Sequence, residues 1–155
     1  MKTYDEYENL YVGILSDANV DVSALPLIDD LNVPRVLTKP RIYVIYTGST
    51  FADLSNFGDY AQEETMSFEV YIQAQKRDGA NGIFATAEEA IQRIIKTRMP
   101  DSRHRTTLQA FGYVTGIQNS WQYRLTFTFP RIRVMREVEI DYGLIKKITT
   151  NLTQV

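Results

Sequence analysis

Residues 66–74 alternate between apolar and polar side chains, and this alternation constrains the fold more than any other feature of the sequence. The apolar positions are Met66, Phe68, Val70, Ile72 and Ala74. The polar positions are Ser67, Glu69, Tyr71 and Gln73. Because successive side chains of a β-strand point to opposite faces of a sheet, the pattern predicts one buried face and one face toward water. That arrangement is typical of an antiparallel sheet.

Two other segments have the spacing of amphipathic helices. The first has apolar side chains at steps of three and four residues, namely Tyr4, Tyr7, Leu10, Tyr11, Ile14 and Leu15. Thr3 and Glu6 are spaced as a capping box at its start. The second spans residues 83–99, with an apolar stripe of Ala87, Ala90, Ile91, Ile94 and Ile95. Thr86 and Glu89 have the same capping-box spacing, so the sequence predicts a cap there as well.

Three further segments have the character of strands. Residues 41–47 are rich in β-branched and aromatic side chains, whereas residues 19–40 have no period and are expected to form a packed irregular connection. Residues 107–120 and 121–135 are expected to pair antiparallel. In the second of these, one face carries Trp121, Tyr123, Leu125, Phe127 and Phe129. Pro130 predicts either a bulge or the point where this strand leaves the sheet.

The expected fold is one α+β domain over residues 1–155, because a chain of this length suits a single domain with a sizeable core. The predicted element order is αββαββ, with about four mostly antiparallel strands and two helices on one face of the sheet. A C-terminal segment, residues 137–155, is expected to form a short helix or strand and then to fray.

Composition excludes several classes of protein. A net charge of −2 argues against a dedicated nucleic-acid-binding protein, and the lack of cysteine excludes disulfide scaffolds and thiolate zinc sites. No apolar run approaches the roughly 20 residues that a membrane-spanning helix needs. The N-terminus MKTYDEYENLYVG is acidic where a signal peptide is basic. We therefore expect a chain that folds in a cytoplasm and makes no contact with a membrane.

The sequence contains no constellation of catalytic residues. His104, the single histidine, lies between two arginines in a polar segment and is predicted to be a surface residue. The acid pairs Asp29–Asp30, Glu63–Glu64 and Glu88–Glu89 are adjacent in the sequence. Adjacent side chains diverge on both strands and helices, so no pair is aimed at one atom. The protein is accordingly expected not to be an enzyme and to have no catalytic, cofactor or metal site.

Two segments are candidates for contact with a partner. The loop of residues 48–62 carries Phe51, Leu54, Phe57 and Tyr60, which are too apolar for a solvated linker. These four side chains contact another subunit or, alternatively, fold back on their own sheet. Arg131, Arg133 and Arg136 alternate along the last strand. They form either a solvated face or a basic strip that meets an acidic partner.

The whole layout resembles the tail terminator (tail completion) proteins of tailed bacteriophages, especially the minor tail protein family of Mu-like phages. The resemblance covers residues 1–136. It is carried by the acidic N-terminal helix, the crossing to PRIYVIYTG, the long loop before ETMSFEVYIQAQ, the helix in DGANGIFATAEEAIQRI, and SWQYRLTFTF near the end.

The resemblance implies a structural virion protein of the tail or neck, assembled in the cytoplasm of a bacterial host. Such a protein forms a homo-hexameric ring on the last ring of the tail tube, stops its polymerisation and joins it to the head-side connector. In contractile tails it also contacts the sheath. Glu69, Tyr71 and Gln73 would then face either a neighbouring subunit or the lumen through which the genome DNA passes.

Two alternatives remain open from the sequence. One is another neck or head–tail joining protein, of similar size but with a different neighbour. The other is a small-molecule-binding or enzymatic α+β domain. The assembly state of the purified protein separates the second alternative from the ring-forming proteins.

Overall fold

The computed structural model describes residues 2–24, 38–53, 61–102, 104–117 and 120–134. The helices are α1 (Tyr4–Leu15) and α2 (Ile83–Lys96). The strands are β1 (Asp21–Ala24), β2 (Arg41–Phe51), β3 (Ala61–Ala74), β4 (Thr107–Ile117) and β5 (Ser120–Val134). They form one sheet in the order β1-β2-β3-β5-β4. Neither described helix is long and apolar enough to cross a membrane.

The sheet corrects the predicted one in two ways. It has five strands rather than about four, because residues 21–24 form β1 where an irregular connection was expected. It is also mixed, since β1 runs parallel to β2 while the other three pairings are antiparallel. A four-residue strand is too short to show the period of two by which strands are recognised. The α+β class itself is confirmed.

The core lies between one face of the sheet and both helices. The alternation in β3 is confirmed, since its apolar positions Met66 to Ala74 are all buried. Tyr11 of α1 packs on Phe68 and Phe127, with ring centroids 5.0 and 4.7 Å apart. From α2, the side chain of Ile94 is fully buried and that of Ile91 is partly buried. The opposite face of the sheet, hereafter the outer face, is lined mainly by polar and half-buried side chains.

The two predicted helix caps have different outcomes. At α1 the capping box is confirmed, because the backbone N–H of Thr3 donates to Glu6 Oε2 at 2.7 Å. At α2 the prediction was wrong, since the N-cap is Gly82 and Thr86 lies inside the helix, donating to the Gly82 carbonyl at 2.8 Å. A Cβ at position 82 would lie 2.7 Å from the Arg77 carbonyl oxygen. The close approach of the chain before α2 therefore requires glycine.

Pro130 produces neither the predicted bulge nor the predicted exit of the strand from the sheet. It lies opposite Thr65 in a β3–β5 register that is unbroken as far as Val134. The pairing of β5 with β4 ends at Thr128, so Pro130 lies where β5 has a strand neighbour on only one side. A residue without a backbone N–H is tolerated at such a position because no ladder hydrogen bond is lost there.

Candidate protein interface

Six side chains form a partly exposed cluster at the β4 edge of the sheet, with Tyr123 buried at its centre. This aromatic patch consists of Arg77, Phe84, Phe111, Tyr113, Trp121 and Tyr123. Tyr113 is 59% exposed, Phe111 39% and Phe84 36%. Contacts between the rings run through Tyr123, whose centroid lies 5.3 Å from that of Phe111 and 5.8 Å from that of Tyr113. The three exposed rings therefore surround one buried ring and form a single cluster rather than scattered positions.

The patch is exposed because the helices stop short of β4. They pack over β1, β2, β3 and β5. Helix α2 contributes Phe84 to the patch, and its ring lies 5.6 Å from that of Tyr123. Phe111 and Tyr113 lie opposite Leu125 and Tyr123, so they belong to the same face as the core. The patch is thus a continuation of the hydrophobic core beyond its helical cover.

Arg77 lies in the middle of these rings. Its guanidinium carbon is 5.3 Å from the ring centroid of Phe84, 5.2 Å from that of Trp121 and 5.9 Å from that of Tyr123. A cation at this distance is attracted by the negative face of an aromatic ring. Among the residues that the structure describes, no carboxylate forms a salt bridge with Arg77. The positive charge is therefore held by rings alone.

Gly116 lets the patch lie flat against β4. A Cβ at this position would lie 2.8 Å from two carbons of the Trp121 ring. Any side chain would push the indole away from the strand, since real Cβ contacts are not this short. The glycine therefore positions the single tryptophan of the chain within the patch.

The backbone of β4 is also open on one side. β4 is the last strand of the sheet, and in the described part of the chain no strand pairs with its free side. Register shifts between Leu108 and Ala110 and between Tyr113 and Thr115 leave Ala110–Tyr113 as its regular stretch. β4 contains no charged residue, although charges on an edge strand are a common protection against pairing with another chain.

The residues predicted for partner contact are not gathered in this patch. Phe51 ends β2 and is 49% exposed, whereas Leu54, Phe57 and Tyr60 lie outside the described residues. On the outer face the Tyr71 hydroxyl donates to Glu69 Oε2 at 2.7 Å. Gln73 is buried and donates to Ser120 Oγ at 3.1 Å. Partner contact by these residues stays a prediction.

The predicted strip of arginines is divided between the interior and the surface. Arg131 is buried and donates to Glu64 Oε2 at 2.8 Å, and directly opposite it on β3 Glu64 is fully buried. Arg133 is partly exposed, lies 3.6 Å from the same oxygen and donates to the Tyr4 hydroxyl. Arg136 lies outside the described residues. The alternation of the three arginines therefore gave no sign that one of them had a buried partner.

The interaction of Glu64 and Arg131, hereafter the buried ion pair, is fully hydrogen-bonded. Glu64 Oε1 accepts from the Tyr4 hydroxyl at 2.6 Å and from Ser49 Oγ at 2.8 Å. Arg131 also donates to the Lys2 carbonyl at 2.7 Å. Burial opposes the charge on Glu64, but the hydrogen bonds from Tyr4, Arg131 and Ser49 outweigh it and lower its pKa. The pair ties the N-terminal segment to the sheet.

The predicted surface position of His104 is confirmed, since its side chain is exposed. Glu63 and Glu64 point to opposite faces of β3, as expected of adjacent residues. Within the described ranges no group of three His, Cys, Asp or Glu side chains is placed to hold a metal ion. The aromatic patch was missed because Trp121 and Tyr123 were assigned to the apolar face of β5, while Phe84, Phe111 and Tyr113, on α2 and β4, were assigned to no face.

Most of the chain matches a known protein family. The family model described as Gp37 protein matches residues 19–151, which is most of the chain. This range includes all five strands, α2 and every residue of the aromatic patch. No curated protein matches the chain.

Proposed function

The chain belongs to the Gp37 protein family and is a phage-related protein, and from this premise we propose that it is a structural protein of the virion tail. In this proposal it forms a ring that caps the tail tube, stops tube polymerisation and joins the tail to the head-side connector. Its partners are copies of itself, the tube protein, the neck proteins and, in a contractile tail, the sheath. No catalytic residue or cofactor takes part.

The aromatic patch is the observation that carries this proposal. Contiguous exposed apolar surface on a folded protein marks an interaction site. Tyrosine, tryptophan, phenylalanine and arginine are the residue types enriched at protein interfaces, and all four occur in the patch. An assembly protein needs such a surface, whereas a domain that acts alone does not.

A ring requires that each copy present two different surfaces, one for each neighbour. We assign the aromatic patch to one of these contacts. The outer face of the sheet is mostly polar and has Glu69 near Arg124, so it suits a lumen. DNA is held mainly by cations that neutralise its phosphates. A lumen with few unpaired cations lets the genome pass without holding it.

Tail tubes assembled from the tube protein of the same phage test the function directly. The purified protein is mixed with growing tubes, and electron microscopy records their length and their ends. We expect a ring of density at one end of each tube and a halt in elongation. The double variant Phe111→Ser, Tyr113→Ser is expected to fail, and Gln92→Ser, an exposed position on α2, serves as the matched control.

Tubes that continue to elongate with bare ends would refute the terminator role. If the protein binds instead to isolated connectors and ignores tubes, it is a different joining protein of the neck. A monomer under all conditions, with a bound metabolite, would place it in the small-molecule-binding class.

A further inference from the structure

We propose that the open edge of β4 and the aromatic patch bind residues 137–142 of a second copy of this chain as an added strand. The inference rests on the proposed ring and names what one of its contacts is made of. It is carried by three observations: the chemistry of the edge, the pattern of the segment, and the distance between them.

The edge sets requirements for its ligand. The free backbone groups of Ala110–Tyr113 call for an extended chain, which adds to a sheet by main-chain hydrogen bonds. On the core side of the sheet, the exposed rings of Phe111 and Tyr113 call for apolar side chains. On the outer face, Gly112 lies opposite Arg124, and the space where its Cβ would stand is open. Arg124 is 51% exposed and lies 3.7 Å from Glu69 of β3, so its charge is directed away from β4 and the outer side of the edge sets no charge requirement.

Residues 137–142 have the matching pattern. Their sequence is EVEIDY, in which Glu137, Glu139 and Asp141 alternate with Val138, Ile140 and Tyr142. In an extended conformation the apolar side chains share one face and the acids share the other. With the apolar face against the aromatic patch, the acids lie on the outer face of the sheet, in contact with water. The hydrophobic face of the segment is therefore complementary to the edge.

Residues 137–142 lie too far from the aromatic patch of their own copy to bind it. Leu125, opposite Phe111, and Val134 lie nine residues apart on β5, which is about 30 Å at 3.3 Å per residue. Val138 follows Val134 by four residues, so it can lie no more than about 14 Å away. Ile140 and Tyr142, six and eight residues after Val134, reach no further than about 21 and 28 Å, so the segment cannot lie along Ala110–Tyr113 of its own copy. In the proposed contact it therefore lies on the patch of a neighbour. Each copy then donates one strand and accepts one, which generates a ring or an open chain.

Trp121 provides a direct readout, because the single tryptophan of the chain lies in the patch. In the donor variant, Val138→Asp with Ile140→Asp, the segment is expected not to bind. The aromatic patch of every copy therefore stays unoccupied. A synthetic peptide of residues 135–144 is titrated into this full-length variant while tryptophan fluorescence is followed. We expect saturable binding, weakened at least about tenfold when Phe111→Ser and Tyr113→Ser are added. A peptide with aspartate at positions 138 and 140 is the matched control.

Mixing two defective full-length variants gives a second test. The donor variant retains an intact patch, and the acceptor variant Phe111→Ser, Tyr113→Ser retains an intact segment. Each alone should be a monomer by light scattering, and the mixture should give a dimer, because one contact remains possible. Circular dichroism and thermal unfolding verify that both variants are folded.

The proposal is overturned if the peptide leaves the fluorescence of the donor variant unchanged at millimolar concentration. It is also overturned if the control peptide binds equally well. These measurements need no tail tube, so they separate this contact from the proposed function. Peptide binding without capping of tubes would keep the contact and reject the terminator role.

Discussion

Two clusters in this protein place an arginine against aromatic rings, and only one of them is covered. Arg131 lies 5.3 Å from the ring centroids of both Tyr4 and Tyr7, and Arg77 lies at similar distances from three rings of the aromatic patch. The first cation has a buried carboxylate as its partner, Glu64. The second has no carboxylate within salt-bridge distance in the described chain.

The comparison shows that burial beneath a helix decides whether such a cluster stabilises the fold or stays exposed to solvent. Helix α1 lies over the Arg131 cluster and excludes water from it, so the charges must be paired within the protein. Neither α1 nor α2 covers the β4 edge, so Arg77, Phe111 and Tyr113 keep contact with water and, by our proposal, are available to a partner. The same residue types therefore stabilise the fold in one place and, by our proposal, the assembly in the other.

Replacing Arg131 with alanine should have the largest effect on stability. The substitution leaves Glu64 buried without its main partner, which costs about 3–5 kcal/mol of unfolding free energy. Urea denaturation of the variant measures this loss. The matched control is Arg124→Ala, whose exposed pair with Glu69 is worth roughly 0–1 kcal/mol. Equal losses in the two variants would contradict the distinction between covered and uncovered charges.

Acid should weaken the covered cluster selectively. The pKa of Glu64 is lowered in the folded protein, so its contribution is complete above the pKa of the unfolded chain, about 4.3. The contribution is lost as the pH falls through the lower, folded pKa. Unfolding free energy measured from pH 6 to pH 3 should therefore fall less steeply in Glu64→Gln than in the wild type. Asp5 and Glu6, whose pKa values are also lowered, are present in both proteins.

The double variant Phe111→Ser, Tyr113→Ser should lose self-assembly and keep most of its stability, the reverse of what is expected for Arg131→Ala. Because Tyr113 is 59% and Phe111 39% exposed, we expect the monomer to lose about 1–3 kcal/mol of stability and to stay folded, while self-assembly is abolished. Sedimentation velocity and thermal unfolding on the same samples give both quantities. Unfolding of the variant would mean that the patch is part of the core, and unchanged assembly would remove it from the interface.

Arg77→Ala should have the smallest effect on the isolated chain. An exposed cation–π contact contributes about 0.5–1 kcal/mol, and no buried charge is left behind. Chemical denaturation is expected to detect at most this difference. A loss as large as that of Arg131→Ala would show that Arg77 has a structural role like that of its covered counterpart.

Local sequence patterns predicted the elements but not all of their surroundings. The alternation in β3 correctly predicted its buried face. Glu64 lies on that same face, but its burial could not be predicted because glutamate is not apolar. Thr86 has the spacing of a cap, yet the tight turn at Gly82 begins the helix one turn earlier. β1 was missed since it is defined by pairing with a distant strand. The burial of Glu64 and the position of β1 depend on pairing with another strand, whereas the start of α2 depends on the turn before it.

By itself the sequence determined the two amphipathic helices, the strands with strict alternation and the α+β class, because each follows from the period of neighbouring residues. The tertiary structure alone decided that Glu64 meets Arg131 across two strands 67 residues apart. It also decided that β4 lies at the edge of the sheet. Phe111 and Tyr113 are apolar in either case, but their exposure depends on strand order and on where the helices end. Burial depends on how the helices and the sheet pack together, so it cannot be predicted from the period of neighbouring residues alone.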